Sequence, residues 1–392
     1  MRLPEVTVTP RARRRIAARH PWIFIDDVVA ASGLEPGAIV RVRDARGAPL
    51  GVAFWSGRSK IALRMIASED LDPDPAFWSA RVDAALARRG GRIAAWQARR
   101  LLFGESDGIP GLVADLYGRH LVMQMHTAGA VAIAETIAGL LRARLPIESV
   151  LHRNDASVRA LEGLPREVVQ ATGTTPEQIV VEEEGVLYAA DPWRGQKTGA
   201  FLDQRDNRTA CRALGRGRVL DAFAYHASFA LHAARGAAEV VVVDASREAL
   251  ERGRANARRN GLANLSFVEA NAFDELRERE KRGERFDLIV LDPPAFAKSR
   301  GEIASGRRGY KEINLRALRL LAPGGTLVTC SCSYNLDEAT FEEILREAAA
   351  DARRDATVVA RRGQAEDHPV RLGFPESRYL KCFVLAADGA AP

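Results

Sequence analysis

The sequence predicts a doubly wound α/β sheet in the C-terminal half of the chain, preceded by an all-β region and a small α+β region. From about residue 186, short apolar segments alternate with helical patterns, which is typical of parallel strands joined by right-handed crossovers. Before residue 68, apolar and polar residues alternate between turn signals. The chain has 392 residues, a length at which we expect two or three domains.

The first region, residues 1–70, is predicted to be an all-β domain that includes a short basic helix at its start. Residues 34–56 alternate apolar and polar side chains, with turn signals at Pro36 and Gly37. The following stretch, residues 68–78, is acidic and contains prolines, which is typical of a linker. We therefore expect the first domain boundary near residue 70.

The second region, residues 71–185, mixes helical and strand patterns and is predicted to be a small α+β domain. Its predicted elements are helices at 75–90 and 131–145, strands at 111–118, 120–126 and 149–155, and two short strands in 179–191.

The third region, residues 186–392, is predicted to hold the doubly wound sheet. Its predicted strands are 218–223, 239–246, 265–273, 286–294 and 326–333. The fourth of these begins FDLIVL, an apolar run of the kind that a strand buried on both faces requires. Open sheets of this class bind ligands at the carboxyl ends of their strands, so the residues there are the candidate site residues.

The first two strand ends predict a cofactor that contains adenosine. Asp221 ends one strand, and Asp244 ends the next, at the spacing expected of an acid that binds ribose hydroxyls. The loop after Asp221 has no glycine before Gly236, so a pyrophosphate cradle is not expected. S-adenosylmethionine has no phosphate and tolerates such a loop. At the third strand end, Asn271 could accept a hydrogen bond from adenine, and Phe273 could pack on its face.

The fourth strand ends in Asp292, Pro293 and Pro294, and the two prolines fix the backbone that carries the carboxylate. Enzymes that methylate a planar amine nitrogen resemble this pattern, usually with an aromatic residue directly after the prolines. Here Ala295 intervenes before Phe296. Amine methylation is therefore kept as an alternative and is not the first choice.

Cys330 and Cys332 lie in the last predicted strand, where they are expected to face the same side. A thiolate that adds to carbon 6 of cytosine makes carbon 5 able to attack a methyl sulfonium, and Asp292 could hold ring nitrogen 3. The other interpretation is that both cysteines are small buried hydrophobic residues, which periodicity alone favours. With Cys211 and Cys382, the four cysteines form neither a disulfide framework nor a zinc site, so no metal is expected.

The net charge of +6 comes mainly from arginine and is concentrated in blocks at residues 11–20, 87–100 and 297–311. Such blocks favour a polyanion as partner, although the solvated faces of an arginine-rich protein would have the same composition. No run of about 18 apolar residues and no secretion signal is present, so we expect no membrane span and a cytosolic location.

Several longer motifs resemble the bacterial 23S ribosomal RNA cytosine carbon-5 methyltransferases of the three-domain type. The resemblance covers nearly the whole chain. The motifs are RHPWIF (19–24), GESDGIPGLVADLYG (104–118), GQKTGAFLDQRDNR (195–208), LDPPAFAK (291–298), GYKEINLRAL (309–318), SCS (331–333), and DHPV with FPESRYLK between 367 and 381.

The resemblance implies an N-terminal PUA domain that binds RNA, a central α+β domain and a Rossmann-like methyltransferase domain that uses S-adenosylmethionine. Ribosomal RNA would be the partner, with no metal and no membrane involved. A homodimer is one alternative for the assembly, on which the sequence is nearly silent.

By position, the resemblance makes Cys332 the nucleophile and Asp292 the group that grips the cytosine, while Cys330 is left to packing. The implied cofactor-binding residues are Asp221, Phe223, Tyr225, His226, Ala227, Ser228, Asp244, Ala245, Asn271, Ala272, Phe273 and Asp292. The implied substrate pocket consists of Phe201, Asp203, Gln204, Arg205, Pro293, Pro294 and Lys298. Independently of the resemblance, the positive charge of the basic arm at 298–311 suggests that it could grip the RNA backbone.

Two departures from the family pattern bear on cofactor binding. Ala227 and Ser228 stand where the family often has two glycines, so a side chain there could crowd the cofactor or force an unfavourable φ. Asn271 replaces the more usual aspartate. A non-catalytic RNA-binding protein with a degraded pocket is therefore kept as a further alternative.

Overall fold

The computed structural model describes residues 3–31, 33–90, 97–297 and 299–388. The chain divides into two units. The first comprises Met1–Val181, Ala190–Leu202 and Glu366–Ser377, and the second comprises Glu182–Ala189, Asp203–Ala365 and Arg378–Pro392. The division into three domains at residues 70 and 185 stays a prediction.

The first unit begins with a six-stranded sheet in the order β2-β6-β5-β4-β1-β3. Its elements are β1 (Glu5–Val8), α1 (Pro10–Ala17), β2 (Trp22–Phe24), β3 (Val28–Ala30), β4 (Ile39–Asp44), β5 (Pro49–Trp55) and β6 (Ile61–Ala67). Helix α1 begins at Pro10 because the Thr9 side chain accepts a hydrogen bond from the Ala12 main-chain N at 3.3 Å. The basic helix of the sequence analysis is thus present, although strand β1 precedes it.

The first unit also contains a five-stranded sheet with two helices, in the order β11-β10-β9-β8-β7. Its elements are α2 (Pro75–Arg88), β7 (Ala98–Phe103), β8 (Leu112–Tyr117), β9 (His120–Met125), α3 (Ala128–Arg142), β10 (Ser149–Asn154) and β11 (Glu167–Thr172). Strands β7 and β11 were not predicted. The predicted short strands after them are β12 (Ile179–Glu183) and β13 (Val186–Ala190), which pair as a hairpin.

The basic block at residues 87–100 contributes to the core of the first unit. Arg89 lies 2.8 Å from Asp107, and Arg100 lies 2.7 Å from Asp115, with all four side chains almost fully buried. A buried and paired guanidinium is not available to a phosphate backbone. For these two arginines, the expectation that the block marks a polyanion-binding surface is wrong.

The second unit is built around a seven-stranded sheet in the order β16-β15-β14-β17-β18-β20-β19. Its elements are α4 (Arg205–Leu214), β14 (Arg218–Ala222), α5 (Ser228–Ala233), β15 (Glu239–Asp244), α6 (Arg247–Arg259), β16 (Leu265–Glu269), α7 (Ala272–Lys281), β17 (Phe286–Leu291), α8 (Ile303–Leu320), β18 (Leu321–Ser331), α9 (Glu338–Ala352), β19 (Ala356–Arg362) and β20 (Lys381–Ala387).

The first five strands of this sheet are parallel, as predicted, and β20 runs antiparallel to both β18 and β19. Valine and leucine side chains of β14, β15 and β17 are buried on both faces of the sheet, in two separate apolar clusters. The chain reverses its order at β14, between β15 and β17, and this is the point where an open sheet forms a crevice at its carboxyl edge.

Within the part of the chain that the structure describes, every helix is too short or too polar to span a bilayer. Within the same residues, no group of His, Cys, Asp and Glu side chains is arranged to hold a metal ion.

A buried ion pair joins the hairpin to helix α4 in the second unit. Arg208 Nε donates to Glu183 Oε1 at 2.7 Å, and His232 Nε2 lies 3.1 Å from the same oxygen. Burial alone would raise the pKa of Glu183, but the Arg208 guanidinium outweighs it and lowers that pKa to about 2. Removing one partner of a buried pair leaves the other charge uncompensated.

We expect Glu183→Gln to lower the free energy of unfolding at pH 7 by about 3–5 kcal/mol, because Arg208 then loses its buried counter-charge. Urea titration at pH 7 measures this. Glu184→Gln, at the exposed turn of the same hairpin, is the matched control and should leave the stability unchanged.

The carboxylate of Glu183 has a folded pKa below its ordinary value of 4.5, so its stabilisation is complete above that pH and is lost as the pH falls towards 2. The difference in the free energy of unfolding between wild type and Glu183→Gln should therefore decrease as the pH falls from 4.5 towards 2. Equal stabilities at pH 7 would mean that the pair contributes nothing.

Candidate active site

Four predicted site residues lie at one edge of the seven-stranded sheet. Strands β15, β14, β17 and β18 are neighbours and run parallel, so their carboxyl ends meet. Asp244 is the last residue of β15, Asp221 is the penultimate residue of β14, and Asp292 and Cys332 each follow the end of their strand directly. The topology thus brings together three carboxyl groups and one thiol that are up to 111 residues apart in the sequence.

The loop after β14 holds three non-glycine residues with left-handed backbone angles. The φ angles are 63° at Phe223, 50° at Tyr225 and 67° at Ala227. Each such residue costs about 1–2 kcal/mol relative to a right-handed one. Hydrogen bonds fix the loop in this form, since the Tyr225 main-chain N donates to Asp244 Oδ2 at 2.8 Å. The predicted strain at position 227 is therefore present, and it extends to two further residues.

The methyl group of Ala227 points towards helix α6. A Cβ placed on Gly253 of α6 would lie 3.2 Å from the Ala227 Cβ, so the two residues are packed closely and Ala227 is fully buried. The sequence suggested that the Ala227 side chain could crowd the cofactor. Its packing against helix α6 argues against such crowding. Ser228 begins helix α5, and its φ angle is not positive.

His226 and Tyr225 support the loop in different ways. The His226 ring is buried and stacked on Tyr188, with 5.5 Å between ring centroids, and burial lowers its pKa to about 3. It is therefore neutral at physiological pH. The Tyr225 ring lies under the guanidinium of Arg252, 5.3 Å from the ring centroid.

Asp221 has a buried oxygen without a hydrogen-bond partner among the described residues. Its Oδ2 accepts from the Ala230 main-chain N at 2.9 Å, whereas Oδ1 has no donor. Burial raises the pKa of Asp221 well above its ordinary value, and the nearby Asp292 and Asp244 add to the rise. An unsatisfied buried oxygen is costly, so its place beside the loop fits a ligand that brings a donor, such as the amino group or hydroxyls of S-adenosylmethionine.

At the third strand end, Asn271 caps helix α7. Its Oδ1 accepts from the Phe273 main-chain N at 2.9 Å. This bond uses one of the two lone pairs of the oxygen that is expected to accept a hydrogen bond from adenine. Phe273 is partly buried, with its ring 6.0 Å from that of Phe223. Ala272 is buried, and Ala245 is exposed directly after β15.

Two consecutive side-chain hydrogen bonds, from helix α4 and the turn before it, hold Asp292 in place. Gln204 Nε2 donates to Asp292 Oδ1 at 2.8 Å, and Asn207 Nδ2 donates to Gln204 Oε1 at 2.6 Å. The amide of Gln204 is thereby fixed with its donor towards the carboxylate. Pro293 is buried and Pro294 is exposed.

Three of the remaining residues of the predicted substrate pocket each contact a different neighbouring side chain. Asp203 Oδ2 accepts from the Tyr379 hydroxyl at 2.7 Å, and Arg205 pairs with Asp206 at 3.1 Å. Phe201 belongs to the first unit, where its ring lies 4.8 Å from Lys197 Nζ. Lys298 lies outside the described residues.

Two other residues of the basic arm at 298–311 pair with acids of helix α9. Arg307 lies 2.9 Å from Glu343, and Lys311 lies 2.9 Å from Asp351. These pairs are partly exposed, and such pairs contribute little to stability. Their charge is therefore balanced locally in the structure, which weakens the case for this arm as an RNA grip.

Cys332 is the one cysteine of the four that is not buried. Strand β18 ends at Ser331, so Cys332 lies in the loop and not, as expected, in the same strand as Cys330. Its Sγ is 3.9 Å from the Pro293 carbonyl oxygen, next to Asp292. The thiol is thus partly exposed and lies against the main chain of the loop that bears Asp292.

Ser333 fixes the loop that carries Cys332. Its Oγ lies 2.9 Å from the Tyr310 hydroxyl and accepts from the Ala297 main-chain N at 3.1 Å. Helix α8 and the loop after β17 are thereby tied to the residue beside the thiol. Neither Tyr310 nor Ser333 was among the site residues predicted from the sequence.

Cys330 has the properties of a packing residue, as the family resemblance implied. It is fully buried and lies opposite Cys382 in the β18–β20 ladder. A hydrogen bond with Cys382 and burial raise the pKa of the Cys330 thiol well above its ordinary value. A thiol in this state is a poor nucleophile.

Phe296, the displaced aromatic after the two prolines, packs inside an aromatic cluster. Its ring centroid is 4.7 Å from that of Tyr310 and 5.6 Å from that of Phe273. Gly309 on helix α8 makes room for it, since a Cβ there would lie 3.1 Å from the ring. Phe296 is therefore occupied in packing.

Comparison with known proteins agrees with this architecture. A model of the S-adenosylmethionine-dependent methyltransferase family matches residues 119–369, and a model of the PUA-like domain matches residues 6–68. The predicted fold class, a PUA-like domain followed by a Rossmann-like methyltransferase sheet, is confirmed.

The relatives cover almost the whole chain. Ribosomal RNA large subunit methyltransferase I of Aeromonas salmonicida is 41% identical over 385 residues, which cover 95% of this chain and 97% of the relative. The protein of the same name from Photobacterium profundum is 39% identical over 382 residues, with 94% and 96% covered.

A solved structure described as a putative methyltransferase complexed with SAH shares the fold. Its TM-score is 0.85 at 21% identity, and the match covers 98% of this chain and 100% of that one. The predicted cofactor, S-adenosylmethionine, is confirmed by the family match. The chain belongs to the S-adenosylmethionine-dependent methyltransferases, in the family of the ribosomal RNA large subunit methyltransferase I proteins.

Proposed function

We propose that the protein methylates carbon 5 of a cytosine in 23S ribosomal RNA, in the cytoplasm, through a covalent adduct with Cys332. The observation that carries the proposal is the accessible thiol of Cys332, which lies beside the loop that bears Asp292. Relatives at about 40% identity are named as methyltransferases of large-subunit ribosomal RNA, and this favours that substrate.

The residues at the sheet edge match the needs of this reaction. Bound S-adenosylmethionine supplies an electrophilic methyl group. The Cys332 thiolate forms a bond to carbon 6, and the electron pair of the 5,6 double bond makes carbon 5 nucleophilic, while the protonated carboxyl group of Asp292 donates a hydrogen bond to ring nitrogen 3 as negative charge develops there. After carbon 5 takes the methyl group, it loses its proton to a base, the double bond reforms and the Cys332 sulfur leaves.

Cys332 directly follows a strand of the sheet, so its thiol cannot reach into a stacked RNA helix. The target base therefore has to leave its stack to meet the thiol. Gln204 contributes by fixing the carboxyl group of Asp292, so that this group need not be ordered when the base arrives. Methylation of an exocyclic amine is less well supported, since Phe296 is held in the aromatic cluster and is not placed to stack on such a base.

Cys332→Ser should lower methyl transfer to ribosomal RNA by a factor of about 10³ or more, because a hydroxyl is a far weaker nucleophile at neutral pH. Calorimetry should find S-adenosylmethionine binding unchanged, which separates loss of chemistry from loss of the cofactor. Circular dichroism checks the fold.

Cys330→Ser is the matched control, two positions away and buried. It should keep its methyl transfer rate within about tenfold of wild type. Full activity in Cys332→Ser together with inactivity in Cys330→Ser would show that the proposal names the wrong cysteine as nucleophile.

The position of the methyl group can be tested with RNA that carries tritium on carbon 5 of its cytosines. Methylation at carbon 5 replaces that hydrogen, so we expect one tritium released to water for each methyl group transferred. Transfer to the exocyclic amine would leave the label in the RNA. Methylated RNA that retains all its tritium contradicts the proposed position and supports the amine alternative.

A further inference from the structure

Lys381 occupies a buried position that is unusual for a lysine. It is 3% exposed and is the first residue of β20, opposite Ser331, the last residue of β18. Its ammonium donates to the main-chain carbonyl oxygens of Ser333 at 2.7 Å and Tyr379 at 2.9 Å. Both acceptors are neutral, so these bonds do not balance the charge.

The first of these bonds acts on the loop that carries the candidate nucleophile. Ser333 directly follows Cys332, and its side chain is already tied to Tyr310 and Ala297. Lys381 fixes the main-chain carbonyl of the same residue from the opposite strand. Three elements, α8, the loop after β17 and β20, therefore converge on the residue next to the thiol.

Three groups that carry negative charge when ionised face Lys381, namely Cys332, Asp337 and Glu338. Burial lowers the pKa of Lys381 to about 8, against the opposing influence of Cys332, Asp337 and Glu338. Asp337 caps helix α9 by accepting from the Thr340 main-chain N at 2.8 Å.

The second acid, Glu338, is likewise engaged, because it lies 2.6 Å from Arg378. The hydroxyl of Tyr310, from α8, is directed to Ser333. At pH 7 Lys381 is mainly cationic, so its charge favours the thiolate form of Cys332 as much as the thiolate favours the ammonium.

We propose that Lys381 is a positioning residue for methyl transfer, which holds the Cys332–Ser333 segment and stabilises the Cys332 thiolate through its charge. The proton of the thiol passes to solvent, and the ammonium keeps its own protons. This inference rests on the proposed role of Cys332 as nucleophile. It concerns the ionisation of that thiol and not the identity of the base that the thiol attacks.

The test measures the rate at which iodoacetamide alkylates Cys332 as a function of pH, read by mass spectrometry of the peptide that contains it. The experiment uses the full chain without RNA, so its result does not depend on whether cytosine carbon 5 is the target. In wild type, the midpoint of the pH profile should lie below the value of about 8.5 for a free cysteine.

Lys381→Met removes the charge at similar length and should raise this midpoint by about one unit, which makes alkylation about tenfold slower at pH 7. Lys381→Arg keeps the charge and should retain the wild-type midpoint. In methyl transfer, Lys381→Met should lower kcat by about tenfold and leave the KM for RNA unchanged.

Lys311→Met is the matched control, since Lys311 is a surface residue paired with Glu347 and Asp351, and its midpoint should equal that of wild type. A folded Lys381→Met protein with the wild-type midpoint overturns the inference. If Lys381→Met does not fold, the wild-type profile decides alone, because a midpoint at or above about 8.5 also overturns it.

Discussion

The point at which strand β18 ends is the constraint on which the candidate site depends. The strand is paired with β17 as far as Thr329 and with β20 as far as Ser331, and Cys330 is buried opposite Cys382. One residue later the chain leaves the sheet, and Cys332 gains solvent access. A loop at this point would normally be mobile, but the contacts of Ser333 with Tyr310 and Ala297 hold the thiol beside the next strand end.

The loop after β14 adopts, without any glycine, a backbone geometry that glycine favours. Three residues with positive φ cost about 1–2 kcal/mol each, and a main-chain hydrogen bond to Asp244 and the packing of Ala227 offset part of this. Gly253 in helix α6 provides the space into which the Ala227 methyl group fits. The glycine is thus on the helix that faces the loop, where it costs about 1 kcal/mol of helix propensity.

The position of the three carboxyl groups at neighbouring strand ends could be predicted from the sequence, because parallel strand ends meet whatever the details of packing. Asp221, Asp244 and Asp292 needed only the alternation of strands and helices. The contact of Lys381 with Ser333 could not be predicted from the alternation of strands and helices. The hydrogen bond spans 48 residues and depends on the antiparallel pairing of β20 with β18. Arg89 and Arg100 were misread for a similar reason, because a count of charges does not separate a buried pair from an exposed patch.

The most direct test of the account uses ribosomal RNA in which cytosine is replaced by 5-fluorocytosine. Fluorine at carbon 5 cannot leave as a proton does, so the adduct between Cys332 and carbon 6 should persist after methyl transfer. We expect a protein–RNA complex that survives denaturation, requires S-adenosylmethionine and yields a cross-linked peptide containing Cys332. Methylated RNA without any such complex, or a cross-link at another residue, would contradict covalent catalysis by this thiol.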